Sequence, residues 1–286
     1  MKKLTLKEST MSNVWLITGS SRGLGRQIAE SVLAAGHRVV ATARRPEQLG
    51  ELVARYGDRV RAVALDVTDP RAASNAVTVA VEAFGRLDVL VNNAGYADVA
   101  AIEEMPLDEF RAQIEANFFG VVNVTRAALP IMRGQRSGHI VQISSVGGRV
   151  GGPGLGAYQS AKWAVGGFSE VLSREVAPFG IRVTVAEPGG MRTDWAGTSM
   201  TTHPIGADYR PVIEPVVARM RAADGSQPGD PVRVAEVLID VAAHPEPPLH
   251  LLLGADAVAV AGAQAERLAA ADAEWRTVSE SVTYAG

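Results

Sequence analysis

The 286-residue chain contains no cysteine. Disulfides, thiolate nucleophiles and cysteine-based zinc sites are therefore excluded, and because the five histidines show no ligand spacing no metal is expected. Charge of one sign is also lacking. Twenty-eight Lys and Arg are scattered among 31 Asp and Glu for a formal net charge of -3, with no basic stripe to hold a phosphate backbone, so nucleic acid is not an expected partner. Nor is there a long apolar run. The most apolar late stretch, Leu251 to Ala265, is interrupted by Asp256 and too short to span a bilayer, so no membrane partner is expected. Met1 to Lys7 starts basic but lacks the apolar stretch of a secretion signal, and the absence of cysteine suits a cytoplasmic location. Residues 1–12 are expected to be a mobile leader, with Met11 a second candidate start, and 13–286 a single domain.

What is present reads as alternating strands and helices. Val14 to Ile17 is a short apolar run that meets Thr18-Gly19-Ser20-Ser21-Arg22-Gly23-Leu24-Gly25, after which Ile28, Ala29, Val32 and Leu33 recur at helical spacing. A strand, a glycine turn and a helix N-terminus together suit a pyrophosphate, because glycine permits close backbone approach and the first helical N–H groups are unpaired. A dinucleotide is expected there, although the Gly-x3-Gly-x-Gly spacing departs from the Gly-x-Gly-x-x-Gly fingerprint. The second strand, Arg38 to Ala43, ends at Arg44-Arg45, where a doubly wound fold places an acid for a ribose 2'-hydroxyl or an Arg for a 2'-phosphate. Here Arg44, with Arg22 from the turn, favours NADP(H). The plainer alternative is a pair of solvated loop charges.

Further strands are expected at Val60 to Leu65, Asp88 to Val91, His139 to Ile143, Ile181 to Ala186 and His250 to Leu253. Their carboxyl ends carry Asp66-Val67, Asn92-Asn93-Ala94-Gly95, Ser144-Ser145 and Pro188-Gly189-Gly190-Met191-Arg192-Thr193. In a parallel sheet that edge is where a ligand belongs. Asp66 suits the adenine amine, and Asn92 and Asn93 suit either a structural tie or the cofactor. Leu107 to Met132 is a long helical pattern with Asn117 in its interior, a poor place for Asn by propensity. From 194 to 229 the periodicity fails amid several prolines, and the segment is expected to be an irregular substrate lid. Its Trp195, Met200 and Tyr209 suit either substrate contact or packing. A terminal helix is expected over about 256–282.

Tyr158-Gln159-Ser160-Ala161-Lys162 supplies the candidate chemistry. Four positions apart on a helix, the phenol and the amine share a face one turn apart. An ammonium near a phenol favours phenolate and lowers a pKa that starts at about 10, which would make Tyr158 a proton donor or acceptor near neutrality.

With these motifs in this order, the chain resembles the classical short-chain dehydrogenase/reductase family. The resemblance runs from Val14 to about Leu253 and rests on Thr18-Gly-x3-Gly23-x-Gly25, Asp66, Asn92-Asn93-Ala94-Gly95, Asn117, Ser145, Tyr158-x3-Lys162 and Pro188-Gly189 before Thr193. It implies an α/β, Rossmann-type doubly wound parallel sheet with helices on both faces. It also implies catalysis by Asn117, Ser145, Tyr158 and Lys162, with Ser145 rather than Ser144 because it lies thirteen positions before Tyr158. Tyr158 would exchange a proton with a carbonyl or alcohol substrate oxygen, Ser145 would orient that oxygen, Lys162 would hold the nicotinamide ribose, and Asn117 would keep a water in line with Lys162. The cofactor set it implies is Gly19, Ser21, Arg22, Gly23, Leu24, Gly25, Arg44, Asp66, Val67, Asn93, Ala94, Gly95, Tyr158, Lys162, Pro188, Gly189, Met191 and Thr193. Ser145, Tyr158, Trp195 and Met200 are the substrate candidates. The family's Asp-Gly-Gly terminal turn is missing, which leaves a homodimer open and the usual tetramer in doubt, and Glu187 stands where Asn is frequent, altering either the substrate mouth or its surface charge. A silent NADP(H)-binding sensor on the same fold is the alternative in another class.

Overall fold

The computed structural model describes residues 12–193 and 200–284. The expected leader, apart from its last residue, and Trp195 lie outside the described residues. Nine strands are described: β1 (Val14–Ile17), β2 (Arg38–Ala43), β3 (Val60–Ala64), β4 (Val89–Asn92), β5 (Ala97–Val99), β6 (Gly138–Ile143), β7 (Ile181–Pro188), β8 (Met200–Thr202) and β9 (His250–Leu253). The described α-helices are α1 (Gly23–Ala34), α2 (Gly50–Tyr56), α3 (Pro70–Phe84), α4 (Leu107–Ile114), α5 (Gly120–Gln135), α6 (Gly156–Val176), α7 (Arg210–Ala222), α8 (Pro231–Ala243) and α9 (Ala255–Glu280).

Seven strands form one parallel sheet in the order β3-β2-β1-β4-β6-β7-β9. Both faces are covered, as a Rossmann-type fold requires. Alternation along β1 shows how. Trp15 and Ile17 pack with Ile28, Val32 and Leu33 of α1 and Val234 and Leu238 of α8, whereas Val14 and Leu16 pack with Ala76 and Val77 of α3 and Val124, Ala128 and Met132 of α5. Because all seven strands run the same way, their carboxyl ends share one edge, and the order reverses between β1 and β4. That reversal opens the crevice in which doubly wound folds hold ligands.

Local chemistry explains the helices that frame this edge. Asp69 and Asp230 cap α3 and α8 by accepting from Arg71 N at 2.8 Å and Val232 N at 2.9 Å, each with proline in the first turn. α6 follows a glycine-rich link and stops at Pro178 and Gly180, the latter at φ +71°. Its buried stripe is Ala157, Tyr158, Ala161, Lys162, Val165, Ser169, Leu172 and Val176, so the Tyr-Lys pair lies on the core-facing side.

The described part of the segment expected to be irregular, residues 200–229, is in part regular. It contains α7, whose Ile213, Val216, Val217 and Met220 recur at helical spacing, with Ile213 and Val217 buried against Val99 and Ala101. Pro211 falls in the first turn, where its missing N–H is harmless, and Pro215 removes one hydrogen bond that this packing offsets. β8 pairs with β5 in a small second sheet. Met200 packs in that apolar cluster with Leu155, Ile205 and Tyr209. His203 Nε2 lies 2.8 Å from Glu109 Oε2, and Asp98 comes close to both, a grouping of residues far apart in the sequence. Among the described residues no helix is long and apolar enough to cross a membrane.

Candidate active site

The glycine turn is shaped by its neighbours across the β1–β4 crevice. Gly19 and Gly23 have φ of +68° and +57°, the left-handed region that disfavours side chains. Thr18 Oγ1 accepts from the backbone N–H groups of Asn93 and Ala94, both at 2.9 Å, and Asn93 Nδ2 donates to Thr18 O at 2.9 Å and Gly19 O at 3.3 Å. A side chain at Gly25 would put its Cβ 2.3 Å from both Asn93 Nδ2 and Gly19 O. Thr18 is thus a structural key to the turn; its place just before Gly19 was the only sequence signal for it. Asn92 takes the structural option, donating from Nδ2 to Gln142 Oε1 at 2.9 Å and Thr125 Oγ1 at 3.0 Å, which ties β4 to β6 and α5.

The N-cap position of α1 is the exposed Arg22, whose side chain makes no cap hydrogen bond. The start of the helix lies beside two left-handed glycines, a cradle suited to a pyrophosphate. Along the same edge Arg44 and Asp66 are exposed at the ends of β2 and β3. The N–H and hydroxyl of Thr68 hold the Asp66 carboxyl below its usual range, with a smaller pull from the Arg44 charge. Thr193 lies opposite, its Cβ 3.8 Å from where a Gly23 Cβ would sit. The donor set and the glycine cradle fit a dinucleotide. Other members of the expected set are packed into the frame: Leu24 and Met191 against the core, Val67 over Gly120, and Pro188 buried at the end of β7. Gly189 N donates to Leu253 O at 3.0 Å.

The four candidate catalytic residues converge beyond β4, β6 and β7. The helix carrying Asn117 widens into a π-turn at Glu115–Phe119. There Asn117 is fully buried, with Nδ2 donating to Gln113 O and Tyr96 O at 2.9 Å and Oδ1 accepting from Tyr96 N at 3.1 Å. A Cβ at Gly95 would stand 2.4 Å from Asn117 Oδ1 and 3.7 Å from Lys162 Nζ, so both side chains crowd one glycine. Lys162 Nζ donates to Ile143 O at 2.8 Å and lies 5.7 Å from the centre of the Tyr158 ring. The two serines after β6 have different environments. Ser144 is buried and donates to Lys162 O at 3.3 Å, whereas Ser145 accepts from Gly147 N at 3.0 Å and is hydrogen-bonded to the Tyr158 phenol.

One expectation is reversed. Burial pushes the Tyr158 phenol up to about 12, against a smaller downward pull from Ser145, and burial alone brings the Lys162 amine down to about 8. Removing both groups from water disfavours their charged forms more than their proximity favours a phenolate. At neutral pH the phenol is a held proton.

Glu187 is likewise neither a mouth residue nor a surface charge. Its side chain is 3% exposed and pairs with Arg149 and His250.

The short chain dehydrogenase family model matches residues 13–203. Oxidoreductase BOA17 of Botryotinia fuckeliana is 54% identical over 94% of this chain and 98% of its own length. A short-chain dehydrogenase structure from Streptomyces avermitilis superposes with a TM-score of 0.90 at 40% identity, covering 96% of this chain and all of that one. Two further structures share the fold: a Burkholderia phymatum short-chain dehydrogenase/reductase in complex with NAD (24% identity, TM-score 0.79, 93% and 95% coverage) and a Thermococcus sibiricus alcohol dehydrogenase complexed with 5-hydroxy-NADP (26%, 0.69, 85% and 96%). The chain belongs to the short-chain dehydrogenase/reductase family of oxidoreductases.

Proposed function

We propose that the protein is an NADP(H)-dependent reductase of ketones or aldehydes, working in reverse on secondary alcohols. The observation that carries this reading is the Tyr158 phenol, buried, hydrogen-bonded to Ser145 and one helical turn from Lys162. The nicotinamide, when bound, supplies or accepts hydride. The protein's own residues handle the oxygen and its proton. Ser145 orients the carbonyl oxygen, and Tyr158 gives its proton to the alkoxide as that charge develops. A phenol held at about 12 is neutral at pH 7 and still far more acidic than an alcohol, so the transfer runs downhill. Lys162, with Ile143 O fixing its amine, would steady the ribose, and Asn117 would hold the water through which Tyr158 regains its proton.

Arg44 and Arg22 support NADP(H) over NAD(H), since no acid stands at the end of β2 to repel a 2'-phosphate. Relatives of this fold hold either cofactor, so the preference rests on these residues. The described residues 200–229, α7 included, are read as the cover over the substrate side of a single, cytoplasmic domain. Replacing Tyr158 with Phe tests the chemistry. NADPH oxidation against a panel of ketones and aldehydes should fall about 100-fold or more, while NADPH binding, measured by nicotinamide fluorescence, stays near parental. Parental turnover by this variant would defeat the mechanism, and tight NADPH binding with no turnover of any carbonyl by the parent would point to a sensor.

A further inference from the structure

We infer that Glu187 is a positioning residue that sets Ser145 against Tyr158 through an ion-pair network centred on its buried carboxylate. This rests on the reading that Ser145 and Tyr158 handle the substrate oxygen. Glu187 is next to last in β7, and its almost wholly buried carboxylate must find partners. Arg149 supplies a two-pronged contact, Nε to Oε1 at 2.9 Å and Nη2 to Oε2 at 2.5 Å. Such a fork fixes direction as well as distance.

Arg149 stands at the end of the short turn that Ser145 begins. Ser145 Oγ accepts from Gly147 N at 3.0 Å, Ser145 O from Gly148 N at 2.9 Å, and Val146 O from Arg149 N at 2.9 Å. The turn is pressed against α6, because a Cβ at Gly148 would lie 2.9 Å from Lys162 O and 2.8 Å from Ser144 Oγ. On the other side, His250 of β9 bridges two carboxylates, with Nδ1 3.1 Å from Glu187 Oε1 and Nε2 2.9 Å from Glu170 Oε1. Glu170 belongs to α6, the helix that carries Tyr158 and Lys162. One buried carboxylate thus links the Ser145 turn, the end of β7 before Pro188, and α6. With Glu187 buried and Arg149 partly exposed, the pair adds little net stability over an apolar replacement, but its fixed geometry holds the elements in register. The gap between the Ser145 hydroxyl and the Tyr158 phenol is what that register controls.

The test compares the parent with Glu187→Gln, Arg149→Gln and Tyr158→Phe in the full chain. In both network variants kcat should fall about 10- to 100-fold with the NADPH dissociation constant held within about twofold, since misplacement by a fraction of an ångström harms the reacting geometry and not the distant cradle. Amide hydrogen exchange at Gly147, Gly148 and Arg149 should quicken about tenfold or more while the amides of β1 and α1 keep their parental rates. Parental kcat per cofactor-binding site in either variant would overturn the inference. So would exchange that rises evenly through the chain, which marks plain destabilisation. If Tyr158→Phe retains activity, the chemical reading fails instead, and exchange at the turn still decides whether Glu187 and Arg149 hold it.

Discussion

Replacing Gly25 with Ala isolates the packing that shapes the cofactor turn. The new methyl would sit 2.3 Å from two atoms, Asn93 Nδ2 and Gly19 O, more than about 1 Å inside ordinary contact distance. Gly19 O is backbone within a turn already held by Thr18 and Asn93, so it cannot rotate away. Asn93 can swing, but only by giving up its bonds to Thr18 O at 2.9 Å and Gly19 O at 3.3 Å. Losing two hydrogen bonds costs about 2 kcal/mol and overpacking adds about 1–3 kcal/mol. Alanine's better helix propensity returns about 1 kcal/mol, because Gly25 is within α1 and its φ is not positive. The net loss is about 2–4 kcal/mol, a fall in melting temperature of roughly 4–10 °C for a chain of this size. Because the displaced atoms line the cradle, NADPH affinity should fall with stability. Thermal melts with and without NADPH, together with fluorescence titration, measure both. Gly134→Ala is the control: a Cβ there meets nothing within 4 Å, so it should melt at or slightly above the parent. A Gly25→Ala protein that melts with the parent and binds NADPH equally well would refute the account of the turn.

The buried amine gives a pH prediction of definite sign. The Lys162 pKa falls from 10.5 unfolded to about 8 folded, so between those values the unfolded chain binds more protons and stability rises with pH. The full effect is about 3 kcal/mol, and Tyr158, raised from 10 to about 12, opposes it only as pH climbs above 10. Urea unfolding of the parent and Lys162→Met from pH 7 to 10 should show the parent gaining on the variant by about 2 kcal/mol, and parallel curves would reject the buried-amine reading. For the cofactor, the parent should bind NADPH more tightly than NADH, and Arg44→Ala should cut that preference about 10-fold through loss of a charge-assisted contact; equal parental affinities would end the NADP(H) assignment.

Much of this architecture is legible along the chain, because strands and helices leave local periodic signals and the glycine turn marks the passage from one to the other. The first two strands, Val14–Ile17 and Arg38–Ala43, match the expected runs, and Tyr158 and Lys162 fall on one helical face simply because they are four residues apart. Where prolines interrupt the pattern the signal is masked: Ile213, Val216, Val217 and Met220 keep helical spacing in α7, but Pro211 and Pro215 obscure it. Tertiary structure decided everything that depends on what surrounds a group. It buried Tyr158 and so raised a pKa that its neighbour alone would lower. It widened one helix into a π-turn around Asn117, brought Thr18 onto the Asn93 and Ala94 amides from 75 and 76 residues away, and enclosed Glu187 between Arg149 and His250. Spacing can set two side chains on one face, but desolvation and long-range pairing are properties of the folded chain.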